Sequence, residues 1–279
     1  MPLHLGWFSS GRDEADRNIL STVLKKRDEG LLDVEVNFVF CNWEVDEAPE
    51  NPDSAERAKF FSLVRANEIP LLTLSWKKLT ASMKDAKKEE WRFCYGKKMR
   101  QLIYGNHFDM GVLAGYVLPL DGDTSTRFDL INLQPSLPWG PKGTRPEVTG
   151  GVIAAHPLAH GSSMRLCTPK WEEGAMISYA SFSLDTPPYR KLWAGFGDAL
   201  GKRSVDLLSK EEIEATELFR SIRKEGERRE PPLVTYTIKM FADGDLTVSH
   251  GKLSVEGRPL AEPFDLTEKV DSSLACGEF

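Results

Sequence analysis

Apolar and polar positions along the first half of the chain switch between two periods. Leu3 to Ser10 is a short, mostly apolar run that ends at Gly11 and a polar turn, which predicts a strand. From Ala15 to Lys26 the apolar residues Ile19, Leu20, Val23 and Leu24 recur at helical spacing. Val34 to Cys41 (VEVNFVFC) is rich in Val and Phe and predicts a second strand. Asp53-Ser54 then supplies a cap for a helix to about Asn67, with Phe60, Phe61 and Val64 on one face. Ile69 to Trp76 predicts a third strand, Lys88 to Tyr104 a helix, and Met110 to Tyr116 (MGVLAGY) a further strand.

Short strands separated by helices imply right-handed βαβ crossovers and a mostly parallel sheet. Runs such as VNFVF and MGVLAG suit strands covered on both faces. The expected fold class is α/β: a three-layer, mostly parallel twisted sheet of about seven strands. Ligands in such sheets bind beyond the carboxyl ends of strands, near the point where strand order reverses. That directs attention to Ser9–Asp13, Asn42–Asp46, Gly115–Leu120 and Asn132–Gly143.

After Leu184 the pattern changes. Pro187-Pro188 opens a helical region, and Ser209-Lys-Glu-Glu has capping-box spacing. Glu211–Arg229 reads as a solvated, highly charged helix. Pro231-Pro232 is expected to break it before Leu233–Phe241 resumes. Asp243-Gly244-Asp245 turns into an alternating strand, Leu246–Leu253, and the residues from Val270 to Phe279 read as frayed. This pattern divides the chain into residues 1–186, carrying the site, and 187–279, an appendage of helices and a hairpin.

Composition narrows the class without naming a reaction. The 279 residues are 41% hydrophobic and 10% aromatic, enough to build a core. A net charge of −6 lacks the basic footprint of a nucleic-acid binder. Cys41, Cys94, Cys167 and Cys276 are widely spaced, which suits reduced, mostly buried thiols better than a disulfide framework or a zinc site. No stretch approaches the ~18 apolar residues of a membrane span, and the start of the chain does not read as a signal peptide. The expectation is a cytoplasmic protein with no nucleic-acid or membrane partner.

The segment Val112 to Gly143, VLAGYVLPL…FDLINLQPSLPWGPKG, carries the strongest chemical signal. Val112-Leu113-Ala114-Gly115-Tyr116 and Ile131-Asn132-Leu133-Gln134-Pro135-Ser136 resemble two motifs of the formyltransferase family, closest to its phosphoribosylglycinamide type. Ser163 to Gly174, with Thr168-Pro169-Lys170-Trp171-Glu172, resembles a third. The likeness covers about residues 3–184. It implies a Rossmann-like fold, 10-formyltetrahydrofolate as co-substrate, and transfer of its formyl group to an amine. It also implies catalytic roles for Asn132, Gln134 and Glu172. Ala114, Gly115, Tyr116, Val117, Leu120 and Trp171 would bind the folate, and Ser10, Gly11, Arg12 and Asp13 the amine substrate.

The chain departs from the family where chemistry is most demanding. The family's histidine is Gln134 here and its aspartate is Glu172; a further histidine found in some members is Arg165. Gln134 offers a neutral amide donor that does not titrate near neutral pH. Glu172 keeps a carboxylate on a side chain one methylene longer. The turn Ser9-Ser10-Gly11-Arg12-Asp13 has one glycine where the family's phosphate-binding version has more, and Asp13, Glu14 and Asp16 crowd the helix start. Those acids suit the helix dipole and compete with a phosphate, which Arg12 and Arg17 offset only in part. Other readings are a 10-formyltetrahydrofolate hydrolase and a non-catalytic folate- or metabolite-binding or interaction protein.

Pro138 to Thr144 reads as a rigid loop over the crevice mouth, with Lys142 facing an acidic group or solvent. His156 and His160 are four apart, a spacing that places two ligands on one helical face, yet no third ligand lies near in sequence, and no metal is expected. Trp7, Trp76, Trp91 and Trp139 read as core or pocket lining. A homodimer through the C-terminal hairpin is a further expectation, because an open strand edge invites pairing.

Overall fold

The computed structural model describes every residue except Asp46, Ala48, 84–86, 171–173, Lys202 and His250, together with the side chain of Asp206. In chain order its elements begin with β1 (Leu3–Ser9), α1 (Glu14–Asp28), β2 (Val34–Cys41), α2 (Ser54–Ala66), β3 (Leu71–Thr73), α3 (Trp76–Ser82) and α4 (Lys88–Ile103). They continue with β4 (Met110–Leu113), α5 (Gly122–Arg127), β5 (Leu130–Gln134), α6 (Arg145–Ala155), β6 (Ala159–Leu166), β7 (Met176–Ser183) and α7 (Pro187–Leu200). Last come α8 (Lys210–Glu214), α9 (Glu217–Ala242), β8 (Leu246–Ser249), β9 (Lys252–Val255), β10 (Arg258–Pro259), β11 (Phe264–Asp265) and α10 (Thr267–Ala275).

Eight strands form one sheet in the order β11-β7-β6-β5-β4-β1-β2-β3, and β10-β9-β8 form a small second sheet. The pairs β1/β2, β1/β4, β2/β3, β4/β5 and β7/β11 are all parallel. Helices cover both faces of the large sheet, as the apolar runs demand. The expected seven strands become eight because the two-residue β11 adds itself to β7. Strand order reverses at β1, whose neighbours are β2 on one side and β4 on the other. The turns leaving β1 and β4 therefore occupy the position where parallel sheets bind ligands.

Two compact units are present. The first comprises residues 1–133, 164–177 and 234–262; the second comprises 134–163, 178–233 and 263–279. The first unit's core gathers Phe8, Phe38, Phe40, Tyr95, Met99, Leu113, Tyr116 and Leu130. Phe8 lies edge-on to Phe38 and Tyr116, the arrangement ring quadrupoles favour. The second unit's core joins Val148, Val152 and Ile153 of α6 to Phe182, Phe196, Leu218, Phe219 and Ile222.

Several sequence expectations change. β3 is three residues long, and Trp76 begins α3, because the Ser75 hydroxyl caps a helix by accepting from the Lys78 amide at 3.0 Å. Asp53 precedes α2 without a side-chain capping bond. β4 stops at Leu113, and Gly115 turns the chain with φ +73°. Pro231 and Pro232 do not break the helix: α9 runs through both. Nor is its first half solvated, since Leu218, Phe219, Ile222, Arg229 and Glu230 are buried. The C-terminal residues are not frayed. α10 buries Val270 completely, its Thr267 Oγ1 accepts from the Ser181 amide at 3.0 Å, and Asp271 pairs with Arg229 at 2.7 Å. Leu246–Leu253 is two strands, β8 and β9, hinged at Gly251 with φ +72°. Trp139 is 71% exposed, so it is neither core nor lining.

Candidate functional site

In the first unit the turn after β1 is closed by its own chain. The Ser10 amide donates to the Gly115 carbonyl at 3.1 Å, and the Val117 amide donates to the Ser10 hydroxyl at 3.3 Å. The Gly11 amide donates to Ser9 Oγ at 3.2 Å, and the Arg12 amide to Asp16 Oδ2 at 3.1 Å. Asp13 is the N-cap of α1, accepting from the Asp16 amide at 2.9 Å. Each amide that would cradle a phosphate from Gly11 to Arg12 thus already has an oxygen partner. The side-chain cations are also engaged: Arg12 faces Asp53 at 3.5 Å, and Arg17 faces Glu14 and Glu56 at 3.4 Å. A phosphate dianion at this turn would have to displace the Asp13 and Asp16 carboxylates that accept from the turn's amides.

Gly115 holds this arrangement together. A Cβ at that position would lie 1.9 Å from Asp16 Oδ1, and φ +73° is a conformation L side chains avoid. Of the residues assigned to folate by resemblance, Ala114, Tyr116 and Leu120 are buried in the first unit, while Val117 is 42% exposed. The Tyr116 hydroxyl points at Met99 Sδ, 3.9 Å away, and burial raises its pKa well above the ordinary tyrosine range. Burial also pushes the thiols of Cys41 and Cys167 up to about 12, so neither is a nucleophile at neutral pH. Cys94 is half-buried and Cys276 exposed, and all four thiols are free.

Asn132 belongs to the first unit, on the carboxyl end of β5 opposite Leu113 of β4. Its side chain is buried, yet its amide hydrogen-bonds no described residue. Gln134, two residues on along the same strand, is half-buried and equally unpartnered. Period-two alternation sends both side chains from one face of β5. Among the described residues neither side-chain amide is used to close the strand end. Trp171 and Glu172 lie outside the described residues.

In the second unit, Ser136 to Thr144 forms a fixed loop. The Ser163 hydroxyl donates to the Ser136 carbonyl at 2.7 Å, and Trp139 stands edge-on to Tyr179 at 5.5 Å. Thr144 and Glu147 make a capping box at the start of α6. His156 and His160 do not share a helical face: His156 ends α6 at φ 46° and stacks on Trp193, whereas His160 lies within β6. Among the described residues no cluster of three or more His, Cys, Asp or Glu is placed to hold a metal.

No model of a known protein family matches this sequence, and no curated protein matches it either. Solved structures do match. A phosphoribosylglycinamide formyltransferase from Coxiella burnetii superposes with a TM-score of 0.65 at 18% identity, covering 95% of this chain and 99% of its own. The same enzyme from Anaplasma phagocytophilum gives 0.60 at 16% identity, with the same coverage. A formyltetrahydrofolate deformylase from Pseudomonas putida gives 0.59 at 15%, covering 91% of this chain and 70% of its own. The fold is that of the formyltransferases. Likeness at this identity establishes the fold alone.

Two groups escaped the sequence reading. Arg57 lies three and four residues before Phe60 and Phe61 on the apolar stripe of α2, and it is buried. Glu230 is buried in α9 and takes a forked pair of bonds from Arg145, with Nη2 to Oε2 at 2.7 Å. In both cases the signal was available as a charged residue at core spacing. Arg100 is a half-buried cation, bonded through Nη1 to Asp121 Oδ1 at 2.7 Å and to Thr124 Oγ1 at 2.6 Å. Gly96 makes room for that pair, because a Cβ there would stand 2.3 Å from Asp121.

Proposed function

We propose that this protein transfers the formyl group of 10-formyltetrahydrofolate to an amine that carries no phosphate. The observation that carries the reading is the pair of unpartnered amides, Asn132 and Gln134, on one face at the carboxyl end of β5. The amine nitrogen attacks the formyl carbon, and the carbonyl oxygen gains negative charge as the tetrahedral intermediate forms. The amide N–H groups of Asn132 and Gln134 donate to that oxygen. The Glu172 carboxylate accepts the proton the amine loses. Collapse breaks the bond between carbon and N10 of the folate, and the proton held on Glu172 passes to N10, so that tetrahydrofolate leaves neutral and the carboxylate is restored. Ser10 to Asp13 face the acceptor, and the filled turn amides argue against a phosphorylated one.

A second reading is supported by the same turn and by the likeness to formyltetrahydrofolate deformylases. Water in place of the amine would make the protein a hydrolase, with Glu172 as the base. Tetrahydrofolate release from 10-formyltetrahydrofolate, followed by absorbance with a panel of phosphorylated and unphosphorylated amines, separates these readings. Release that requires an unphosphorylated amine is expected. Release without any amine establishes the hydrolase, and dependence on glycinamide ribonucleotide overturns the argument from the turn. Binding without turnover would assign the chain to ligand sensing. The cytoplasmic setting and a hairpin-mediated homodimer remain part of the proposal, the latter tested by mass in solution.

A further inference from the structure

Arg57 occupies a position on α2 where the apolar stripe calls for a hydrophobic residue, and it is 2% exposed. One face of its guanidinium is covered by the Trp43 indole, with Cζ 4.2 Å from the ring centroid. Its Nε and Nη2 are enclosed and have no hydrogen-bond partner among the described residues. These two nitrogens form one edge of the guanidinium. Their N–H bonds run parallel at the spacing of two oxygens on a carboxylate or phosphate. Asn42, the residue after β2, is completely buried, and both its side-chain oxygen and nitrogen are unpartnered among the described residues.

The nearby carboxylates do not complete this cluster. Asp53 pairs with Arg12 at 3.5 Å. Glu47 accepts from the Ser75 hydroxyl at 2.5 Å and from the Glu44 amide at 2.9 Å. The Lys77 ammonium lies 4.7 Å from the centroid of the Trp43 ring and adds to the positive side of the balance. Burial lowers the pKa of Arg57 more than Asp53 and Glu47 restore it. A buried charge with an open fork, and an open buried amide on the residue preceding the indole that covers it, are costly unless something binds there.

We propose that the Nε/Nη2 edge of Arg57 and the Asn42 amide bind a small anion presenting two oxygens side by side, a carboxylate or a phosphate, at the carboxyl end of β2. The Asn42 nitrogen donates to the anion, and its oxygen accepts from a hydroxyl or amine on the same ligand. α-Hydroxy acids and protonated phosphate carry that donor beside the anionic oxygens. The proposal is independent of formyl transfer, because it uses neither β5 nor the turn after β1.

Equilibrium dialysis overnight of the full chain against glycolate, and separately against inorganic phosphate, at constant ionic strength tests it; the long equilibration allows for the enclosure of both groups. Saturable binding is expected for at least one probe, weakened at least tenfold in Arg57→Met and in Asn42→Ala. Arg57→Lys, which keeps charge and loses the fork, is expected to weaken binding similarly, and it serves if Arg57→Met does not fold. Glycolate alone identifies a carboxylate ligand, phosphate alone a phosphate ligand, and both a fork indifferent to the source. No saturable binding of either probe to folded wild type overturns the proposal, as does binding that survives these substitutions; the guanidinium is then satisfied by enclosed water.

Discussion

Single atoms decide most of what this site can do. Gly115 is fixed by two independent constraints, a left-handed backbone and the Asp16 carboxylate against it. Replacing it by Ala strains the turn and displaces the carboxylate that holds the Arg12 amide. We expect Gly115→Ala to lower stability by about 2–4 kcal/mol in urea titration; a change under about 1 kcal/mol would mean that Asp16 has somewhere else to go. Asn132 behaves in the opposite way. Its side-chain amide makes no hydrogen bond among the described residues, so Asn132→Ala should leave the urea midpoint nearly unchanged. It should still slow formyl transfer or hydrolysis about 100–1,000-fold, the usual effect of removing an oxyanion donor. A large loss of stability at unchanged turnover would make Asn132 a structural residue and remove the basis of the proposed mechanism.

At the scale of elements, β1, α1, β2, α2, α4 and β4 were legible because each has a clean period and turn punctuation, whereas the short α3 and α5 were not. Val34–Cys41 matched to the residue. The misreadings arose where tertiary packing overrode local rules. α9 continues through Pro231-Pro232 because Leu233, Val234, Tyr236 and Ile238 are buried just beyond, and that burial outweighs two missing amide donors. α10 looked frayed because its support, Arg229 and Ser181, lies far away in sequence. Asn132 and Gln134 were legible through their motif, but the closed turn amides were not, since Asp16 reaches Arg12 only after the turn has folded. His160 shows how an element imposes a chemistry. Held in β6, edge-on to Phe182 and beside a cavity of about 10 Å³ lined in part by Ser162, Arg223, Glu227 and Glu230, it is buried, and its pKa falls to about 4. As pH drops from about 6.5, the unfolded chain takes up a proton that the folded chain refuses until pH 4. Stability therefore falls across that window and levels off below it, by about 3 kcal/mol in total. Urea unfolding at pH 7 and pH 4.5 should show a loss in wild type that is about 2–3 kcal/mol larger than in His160→Leu. Equal losses in the two proteins would assign acid sensitivity to other groups.

For the whole molecule, the division into units bears on what can be separated. The sequence pattern suggested one boundary near residue 186. The compact units exchange chain at 133/134, 163/164, 177/178, 233/234 and 262/263. On that division a fragment ending at residue 186 lacks residues 234–262 of the first unit, including the β8-β9-β10 sheet. It also lacks α7 and α9, which supply Phe196, Leu218, Phe219 and Ile222 to the second unit's core. Burying one such side chain contributes about 1.5–3 kcal/mol, and a domain of this size has a net stability of only about 5–15 kcal/mol. Losing several together exceeds the margin. Residues 1–186 expressed alone should therefore lack a cooperative urea transition and should bind a dye for exposed apolar surface, while the full chain unfolds cooperatively. A folded 1–186 fragment would place the boundary at the change in sequence pattern and make the C-terminal residues an appendage.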